Sequence, residues 1–190
     1  MTKYLMATKN EGKVRELRQL LADTDIEIIS LNDLSDHEEV EETGLSFEEN
    51  AILKAEHCFR KYGVPSIADD SGICISYLLD MPGVFSARFL PHLDYPAKNA
   101  LILSLMEGVK DRRAAYECVI AFASEAGTKT FHGRCEGEIA FVAAGENGFG
   151  YDPIFYYPRS GMTLAEMDPE EKNKISHRGE ALRKLVASFE

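Results

Sequence analysis

The order in which strand-like and helix-like segments follow one another constrains the fold of this chain most. An extended segment over residues 4–8 and a β-branched segment over 26–31 enclose a stretch with apolar residues at helical spacing. Two long strand-like segments come late, over 114–123 and 129–143, and a turn at 125–127 separates them. Early alternation of strands and helices followed by late antiparallel strands predicts a mixed α/β fold.

Capping residues and apolar spacing predict where the helices lie. The apolar residues that mark the first helix, which is expected to end near residue 22, are Val14, Leu17, Leu20 and Leu21. Ser46 with Glu49 three residues later forms a capping box, so a second helix is expected to begin there and to end at Gly63. Three further helices are predicted: one over 97–106, one that begins at the cap Asp168, and a last one that begins at Ser176.

Composition and charge exclude several kinds of protein. With 21 basic and 32 acidic residues, this chain of 190 residues has a formal charge of −11, which repels polyphosphate backbones and disfavours a nucleic-acid partner. No apolar run is long enough to cross a bilayer, and the first residues predict a buried strand rather than a signal peptide. The length suits a single domain over residues 1–190, either one large domain or two small lobes that share a core.

The cysteines indicate the cellular compartment. Cys58, Cys74, Cys118 and Cys135 form no close pair in the sequence, and each lies among apolar or strand-like neighbours. Buried thiols in a reducing cytosol are the favoured interpretation, and a zinc site is the weaker alternative. The expected location is therefore cytoplasmic.

A polar turn links the first predicted strand to the first predicted helix. Its residues are Thr8, Lys9, Asn10, Glu11, Gly12 and Lys13. A helix N-terminus there offers N–H groups and the positive end of the helix dipole, and two lysines add charge, so the turn suits a phosphate. It is not a P-loop, because the glycine and lysine spacing of that motif is absent. The alternative is that Asn10 only caps the helix.

Acidic side chains occur in two places that suit a cation. Asp69 and Asp70 follow a buried strand-like segment, and because successive strand side chains point to opposite faces, at most one of them should face a given metal directly. Glu41 and Glu42 lie in an acidic loop over 36–44. Hard oxygen ligands of this kind suit Mg²⁺ that also binds substrate phosphates. The alternatives are a solvated charge run for the loop and a simple turn for the aspartates.

Two later segments combine aromatic, acidic and basic residues. In a glycine-rich loop, glycines flank Phe149, so its ring can lie open to a ligand while Asp152 bonds a ring N–H. Lys172, and His177 with Arg178 at the start of the last helix, indicate an anion or carbonyl acceptor nearby, because cations at a helix start oppose its dipole. The alternatives are a loop with Phe149 in the core and a set of surface cations that offset nearby glutamates.

Taken in order, these segments resemble one known family, the non-canonical purine nucleoside triphosphate pyrophosphatases, which is also described as the inosine triphosphatase and Ham1-like family. The matching segments are residues 8–13, 41–44, 47–51, 68–72, 82–88, 148–153, 171–173 and 176–179. No single segment is decisive, but the ordered set is specific and covers nearly the whole chain. No departure from the family's pattern falls at a catalytic position.

The resemblance implies an elongated α/β fold of two lobes around a long mixed β-sheet with flanking helices, and an active site in the cleft between the lobes. It also implies a cytosolic homodimer that binds a purine nucleoside triphosphate and uses Mg²⁺ as its cofactor. Members of the family cleave ITP, dITP and XTP to the monophosphate and pyrophosphate, which keeps deaminated purines out of DNA and RNA.

The resemblance also implies roles for individual residues. The turn from Thr8 to Lys13 binds the triphosphate, and Ser71 contacts the substrate. Glu41 and Asp70 belong to the metal site, and Asp70 is also the proton acceptor for the attacking water, a role that the neighbouring aspartate can share. The residues implied for the base pocket are Phe149, Gly150, Tyr151, Asp152, Lys172, His177 and Arg178.

Hydrogen bonding explains how such a pocket would select its purine. Hypoxanthine and xanthine carry a 6-keto acceptor where adenine carries a 6-amino donor, so Arg178 would pair with the first two bases and stay unpaired with adenine. Two alternatives stay open: a hydrolase of modified pyrimidine nucleotides on the same scaffold, and a nucleotide-binding regulator without turnover. The intact set of carboxylates favours an enzyme over a regulator.

Overall fold

A computed structural model describes residues 2–22, 24–35 and 40–189 of the chain. Residues 36–39 of the predicted acidic loop, and the side chain of Leu20, lie outside the described part. Within those ranges, none of the helices has the length and apolar character needed to cross a membrane.

Eight strands and five α-helices form among the described residues. The strands are β1 (Thr2–Met6), β2 (Ile26–Ser30), β3 (Ser66–Ile75), β4 (Met81–Pro82), β5 (Arg113–Ser124), β6 (Gly127–Ile139), β7 (Phe155–Tyr157) and β8 (Met162–Thr163). The helices are α1 (Glu11–Leu20), α2 (Phe47–Tyr62), α3 (Tyr95–Leu105), α4 (Pro169–Ile175) and α5 (His177–Ala187). The mixed α/β class predicted from the sequence is confirmed.

The strands form one mixed sheet in the order β2-β1-β3-β5-β6-β7-β8, and β4 pairs with β3. β1 is parallel to both β2 and β3, whereas β4, β7 and β8 make antiparallel pairs. Parallel neighbours need long crossover connections, which α1 and α2 supply. Met6 pairs with Ile67, so the polar turn after β1 lies beside the part of β3 that carries Asp69 and Asp70.

Local capping interactions set the starts of α1, α2 and α4 where the sequence predicted them, whereas α1 ends at Leu20 instead of near residue 22 and α3 spans Tyr95–Leu105 instead of 97–106. The Ser46 hydroxyl accepts a hydrogen bond from the N–H of Glu49 (3.1 Å), and the Glu49 carboxylate in turn accepts one from the N–H of Leu45 (2.7 Å). This exchange satisfies N–H groups that the first turn of α2 leaves without partners. Asn10 and Asp168 cap α1 and α4 in the same way.

Strand β3 differs from its predicted form, because it continues through both aspartates to Ile75. The interpretation of the aspartates as a simple turn is therefore wrong. Gly72 permits a close approach at this point: a Cβ atom there would lie 2.3 Å from the carbonyl oxygen of Gly83 and 2.4 Å from the Ser86 hydroxyl. β6 also differs, since it ends at Ile139 instead of residue 143.

The chain divides into two compact units, each with its own apolar core. Unit 1 comprises Met1–Asp70, Cys118–His132 and Glu180–Glu190, and unit 2 comprises Ser71–Glu117 and Gly133–Gly179. The main core of unit 1 includes Met6, Leu17, Leu21, Ile28, Ile67, Ile120, Leu182 and Leu185. The core of unit 2 includes Ile73, Ile75, Ile102, Met106, Tyr116, Ile139, Tyr151, Ile154, Phe155, Leu164 and Met167. All four cysteines are buried, as the sequence predicted.

Unit 2 contains a buried arginine that binds main-chain carbonyl groups. Arg112 donates from Nε to Ile139 (2.7 Å), from Nη1 to Met106 (2.7 Å) and from Nη2 to Ala140 (2.6 Å). The carbonyl of Arg112 itself accepts a hydrogen bond from the N–H of Ile139 (2.8 Å). One side chain therefore fastens the end of α3 to the end of β6.

Candidate active site

The polar turn before α1 is organised by Asn10. Its side-chain oxygen accepts hydrogen bonds from the N–H groups of Gly12 (2.9 Å) and Lys13 (3.3 Å), and its own N–H donates to the Thr8 hydroxyl (3.2 Å). The cap predicted as the alternative for Asn10 therefore exists. Glu11 accepts a hydrogen bond from Asn32, whose amide also donates to the carbonyl of Lys9. The cap fixes the direction of the first turn of α1, which is the turn that carries Lys13.

Lys13 forms a partly buried ion pair with Asp69. The lysine Nζ lies 2.8 Å from both carboxylate oxygens, and the aspartate side chain is only 3% exposed. A charge pair removed from water in this way is expensive to break unless each partner receives a replacement. Lys13 is therefore available to an anion only if something else neutralises Asp69.

Asp70 lies beside Asp69 on β3 but has different partners, as the alternation of strand side chains predicted. Its Oδ2 accepts a hydrogen bond from Nδ2 of Asn50 (3.0 Å), and its Oδ1 lies 3.7 Å from Nζ of Lys54. Burial raises the pKa of Asp70 above its usual value, although Lys54 and Asn50 act in the opposite direction. The result is a desolvated carboxylate with one oxygen held by an amide and the other facing a cation.

Lys54 connects Asp70 to the loop before α2. Its Nζ lies 2.5 Å from Oε1 of Glu42. Burial alone would lower the pKa of Lys54, but the nearby carboxylates, Asp70 first and then Asp69 and Glu42, raise it above its usual value. We call the five side chains Lys13, Glu42, Lys54, Asp69 and Asp70 the charge cluster.

Sequence reasoning missed Asn50 and Lys54. Asn50 is fully buried and uses both ends of its amide, because its Oδ1 accepts the N–H of Gly44 (2.8 Å) while Nδ2 holds Asp70. The signal that would have found both residues is their spacing of four on α2, which puts two polar groups on one face of the helix. Glu41, in contrast, is exposed and has no hydrogen bond or ion pair within the described part of the chain.

The carboxylates of the charge cluster fit a Mg²⁺ ion that takes its remaining ligands from waters and substrate phosphates. Among the described ranges, no group of three or more histidine, cysteine, aspartate or glutamate side chains is arranged to hold a metal ion by itself. Mg²⁺ commonly binds through one or two carboxylates, waters and substrate phosphates, and the buried Asp70 carboxylate suits that arrangement. The metal roles of Glu41 and Asp70 stay predictions.

The glycine-rich loop of unit 2 is held by Asp152. Its Oδ2 accepts hydrogen bonds from the N–H of Phe149 (2.8 Å) and from Nζ of Lys172 (2.7 Å). Gly148 has a positive φ of 78°, and a Cβ atom there would lie 2.3 Å from the same carboxylate oxygen. Glycine is therefore required for the loop to close around Asp152.

Phe149 lies open to solvent above this ion pair. Its side chain is 62% exposed, and Nζ of Lys172 lies 5.3 Å from the ring centroid. The alternative interpretation of Phe149 as a core residue is therefore wrong. The carbonyl of the next residue, Gly150, accepts a hydrogen bond from Nδ2 of the buried Asn99 (3.0 Å), so α3 supports the loop from the other side.

The start of α5 brings His177 and Arg178 into unit 2. Both are 8% exposed, so the alternative of surface cations is wrong. The His177 ring stacks on Tyr116, with ring centroids 4.8 Å apart and planes 7° from parallel. Nη2 of Arg178 lies 3.2 Å from the Ser71 hydroxyl, which joins two of the predicted substrate-binding residues.

Tyr151 is buried below the loop. Its hydroxyl donates a hydrogen bond to the carbonyl of Ser86 (2.8 Å), and burial raises its pKa far above the usual value. We call Tyr116, Phe149, Asp152, Lys172, His177 and Arg178 the aromatic cluster. Its exposed ring beside directed donors suits a planar base, and the lysines and carboxylates of the charge cluster suit a phosphate group with its cation.

Comparisons with known proteins agree with this description. The sequence pattern of the Ham1 family matches residues 4–188. The dITP/XTP pyrophosphatase of Photorhabdus laumondii is 46% identical, over 98% of this chain and 97% of its own length, and that of Geobacillus kaustophilus is 46% identical over 100% and 95%. The solved Ham1 protein of Coxiella burnetii superimposes with a TM-score of 0.93 and 42% identity, over 100% of this chain and 98% of its own.

The chain therefore belongs to the Ham1 family. The family predicted from the sequence is confirmed. The residue roles, the cofactor, the homodimer and the position of the active site that the resemblance implies stay predictions.

Proposed function

We propose that this chain hydrolyses non-canonical purine nucleoside triphosphates, namely ITP, dITP and XTP, to the monophosphate and pyrophosphate with Mg²⁺. The observation that carries the proposal is the charge cluster, in which three carboxylates, among them the buried Asp70 of raised pKa, and two partly buried lysines neutralise one another. The relatives from Photorhabdus laumondii and Geobacillus kaustophilus are dITP/XTP pyrophosphatases, which supports the same reaction. In the cell, the reaction would remove deaminated purines from the nucleotide pool.

Lys13 and Lys54 are the proposed ligands of the triphosphate. Each now pairs with a carboxylate, Lys13 with Asp69 and Lys54 with Glu42. A magnesium triphosphate brings both signs of charge, so its phosphates can take the lysines while its cation compensates the carboxylates. The cluster is therefore arranged to exchange internal ion pairs for external ones, which keeps every buried charge compensated.

Asp70 is the proposed proton acceptor. Magnesium, when bound, neutralises phosphate charge and makes a bound water more acidic. The water oxygen attacks the α-phosphorus, its proton passes to Asp70, and the bond from the α-phosphorus to the bridging oxygen breaks to release pyrophosphate. Asn50 holds Oδ2 of Asp70 and so fixes the orientation of the carboxylate, and Oδ1 is the proposed acceptor of the proton.

The aromatic cluster is the proposed site for the base. Phe149 offers a ring face for stacking, which gives affinity without identity. Lys172, His177 and Arg178 supply donors, and a 6-keto oxygen can accept from them whereas the 6-amino group of adenine cannot. Losing such pairing in a buried site disfavours the wrong base strongly.

Release of pyrophosphate from ITP, dITP, XTP, ATP, GTP and a modified pyrimidine triphosphate tests the proposal. We expect high kcat/KM for ITP, dITP and XTP in the presence of Mg²⁺, and little turnover after the metal is chelated. Preferential turnover of the modified pyrimidine would contradict the proposed substrate. Tight nucleotide binding without pyrophosphate release would instead make the chain a regulator.

The metal role of Glu41 needs its own experiment. Glu41→Gln is expected to raise the Mg²⁺ concentration needed for half-maximal turnover, and an unchanged metal titration would count against the role. Glu42→Gln is the matched comparison, because Glu42 is the glutamate that contacts Lys54. If Glu42→Gln raises this Mg²⁺ concentration more than Glu41→Gln does, the metal ligand is Glu42 and not Glu41.

A further inference from the structure

Tyr116 occupies a position in unit 2 that links two segments of the aromatic cluster. It lies on β5 and is buried. One face of its ring stacks on His177 in a nearly parallel arrangement, and the ring also contacts Phe155 at a centroid distance of 4.8 Å and an angle of 42°. Aromatic pairs in proteins adopt many relative orientations, so a parallel stack at this distance fixes the plane of the His177 ring.

The phenol end of Tyr116 reaches the glycine-rich loop. Its oxygen accepts a hydrogen bond from the backbone N–H of Tyr151, the residue between Gly150 and Asp152. The Asp152 carboxylate is close enough to add to the effect of burial, which is the larger cause, in raising the pKa of Tyr116. The side chain therefore stays neutral, and it supports the loop by a directed hydrogen bond instead of by charge.

Each end of Tyr116 thus leads to a residue proposed to contact the base. At one end, His177 precedes Arg178, whose guanidinium reaches the Ser71 hydroxyl. At the other end, Tyr151 precedes Asp152, whose carboxylate holds the N–H of Phe149. The tyrosine itself is buried beneath both.

Building on the proposed function, we infer that Tyr116 is a specificity-determining positioning residue that sets the spacing between the His177–Arg178 donors and the loop that carries Phe149. A purine is recognised only if the stacking face and the donors are separated by the right distance. Phosphate binding needs no such spacing. Loss of Tyr116 should therefore lower the discrimination between a 6-keto purine and adenine more than it lowers phosphate-driven binding.

The experiment compares kcat/KM for ITP and ATP in the wild-type protein, Tyr116→Leu and Tyr116→Phe. Tyr116→Leu removes the stack and the hydrogen bond, and we expect the ITP-to-ATP ratio to fall about tenfold. Tyr116→Phe keeps the ring but leaves the Tyr151 N–H without its acceptor, and we expect a fall of about threefold. This partial rescue by phenylalanine distinguishes positioning of His177 from a general loss of packing.

Tyr4→Leu is the matched control. Tyr4 is a half-buried tyrosine on β1 whose ring contacts are Phe122 (5.1 Å) and Phe189 (5.0 Å), all in unit 1. The same substitution there should lower thermal stability and leave the ITP-to-ATP ratio unchanged. If Tyr116→Leu does not fold, the threefold effect expected of Tyr116→Phe decides the question.

The outcomes separate the two proposals. A wild-type protein that does not prefer ITP over ATP overturns the proposed function. A wild-type protein that prefers ITP, with folded Tyr116 variants that keep the ratio within about twofold of wild type, overturns only the role of Tyr116. A ratio lowered equally by Tyr4→Leu would also overturn it, because instability would then be the cause.

Discussion

The charge cluster of unit 1 consists of three carboxylates and two lysines in mutual ion pairs, whereas the aromatic cluster of unit 2 combines the Lys172–Asp152 ion pair with aromatic rings. In the first, Lys13 and Lys54 lie on different helices and both interact with acids of β3. In the second, Lys172 with Asp152 is the ion pair, and stacking and directed hydrogen bonds do the rest.

The difference matters because charge and geometry select for different things. Ion pairs act over several ångströms and tolerate small displacements, so they bind phosphates without regard to the base. Stacked rings and directed donors act over short distances and distinguish one arrangement of hydrogen-bonding groups from another. Variants of the charge cluster should therefore change the rate for all nucleotides alike. Variants of the aromatic cluster should change the preference for one base over another.

The largest effect is expected for Asp70→Asn. The amide has nearly the same shape but cannot accept a proton, so kcat for ITP should fall by about 10³-fold while nucleotide binding, measured by calorimetry, persists. Asp94→Asn is the control, because Asp94 caps α3 and asparagine caps equally well. Turnover above a tenth of wild type in Asp70→Asn would remove Asp70 from the chemistry.

Arg178→Ala in the aromatic cluster should change the preference for ITP over ATP. Loss of a charged donor to the 6-keto oxygen should lower kcat/KM for ITP by about 10²-fold and affect ATP much less, so the ratio between them narrows. Arg113→Ala is the control, since Arg113 is exposed and pairs with Asp111. An unchanged ratio would place the discriminating donor elsewhere, for example in N–H groups near His177.

Lys13→Ala should act without regard to the base. Removal of one phosphate ligand is expected to raise KM by about tenfold for ITP and ATP alike, because a contact to phosphate carries no information about the base. The comparison variant is Lys3→Ala, because Lys3 is an exposed lysine on β1 that pairs with Glu27. The distinction between the two clusters breaks down if Lys13→Ala changes the ITP-to-ATP ratio instead.

The smallest effect is expected from titration of two buried tyrosines of unit 2, Tyr116 of the aromatic cluster and Tyr151 below the glycine-rich loop. The pKa values of Tyr116 and Tyr151 are both raised by burial, so both phenols stay neutral beyond the range in which exposed tyrosines ionise, near pH 10. The tyrosinate absorbance of wild type and Tyr116→Phe should therefore coincide until the protein unfolds in alkali. A difference between the curves near pH 10 would mean that Tyr116 is accessible to solvent.

Local features of both clusters could be predicted from the sequence. Asn10 caps α1 and Asp168 caps α4, and each cap bonds N–H groups only two or three residues further along the chain. The flanking glycines allow an exposed Phe149 but leave a core position open as well, whereas the period of a strand predicts different partners for Asp69 and Asp70.

Partners distant in the sequence could not be predicted in the same way. Tyr116 and His177 lie on different elements, and no local pattern indicates that their rings stack. Asn50 and Lys54 look like ordinary polar residues of a helix until β3 places Asp70 against them. Strands β4, β7 and β8 contain only two or three residues each, too few to show a period of two.

Arg112 has a consequence for how unit 2 moves. Its guanidinium occupies the carbonyls of Met106, Ile139 and Ala140 at once, so opening of any one of these segments would leave a buried cation with fewer acceptors. The segments should consequently open together, as one cooperative unit, and not one after another. Amide hydrogen exchange at Ile139 and Ala140 should be slow and should report the same free energy of opening. The segments that Arg112 binds are then either all closed or all open.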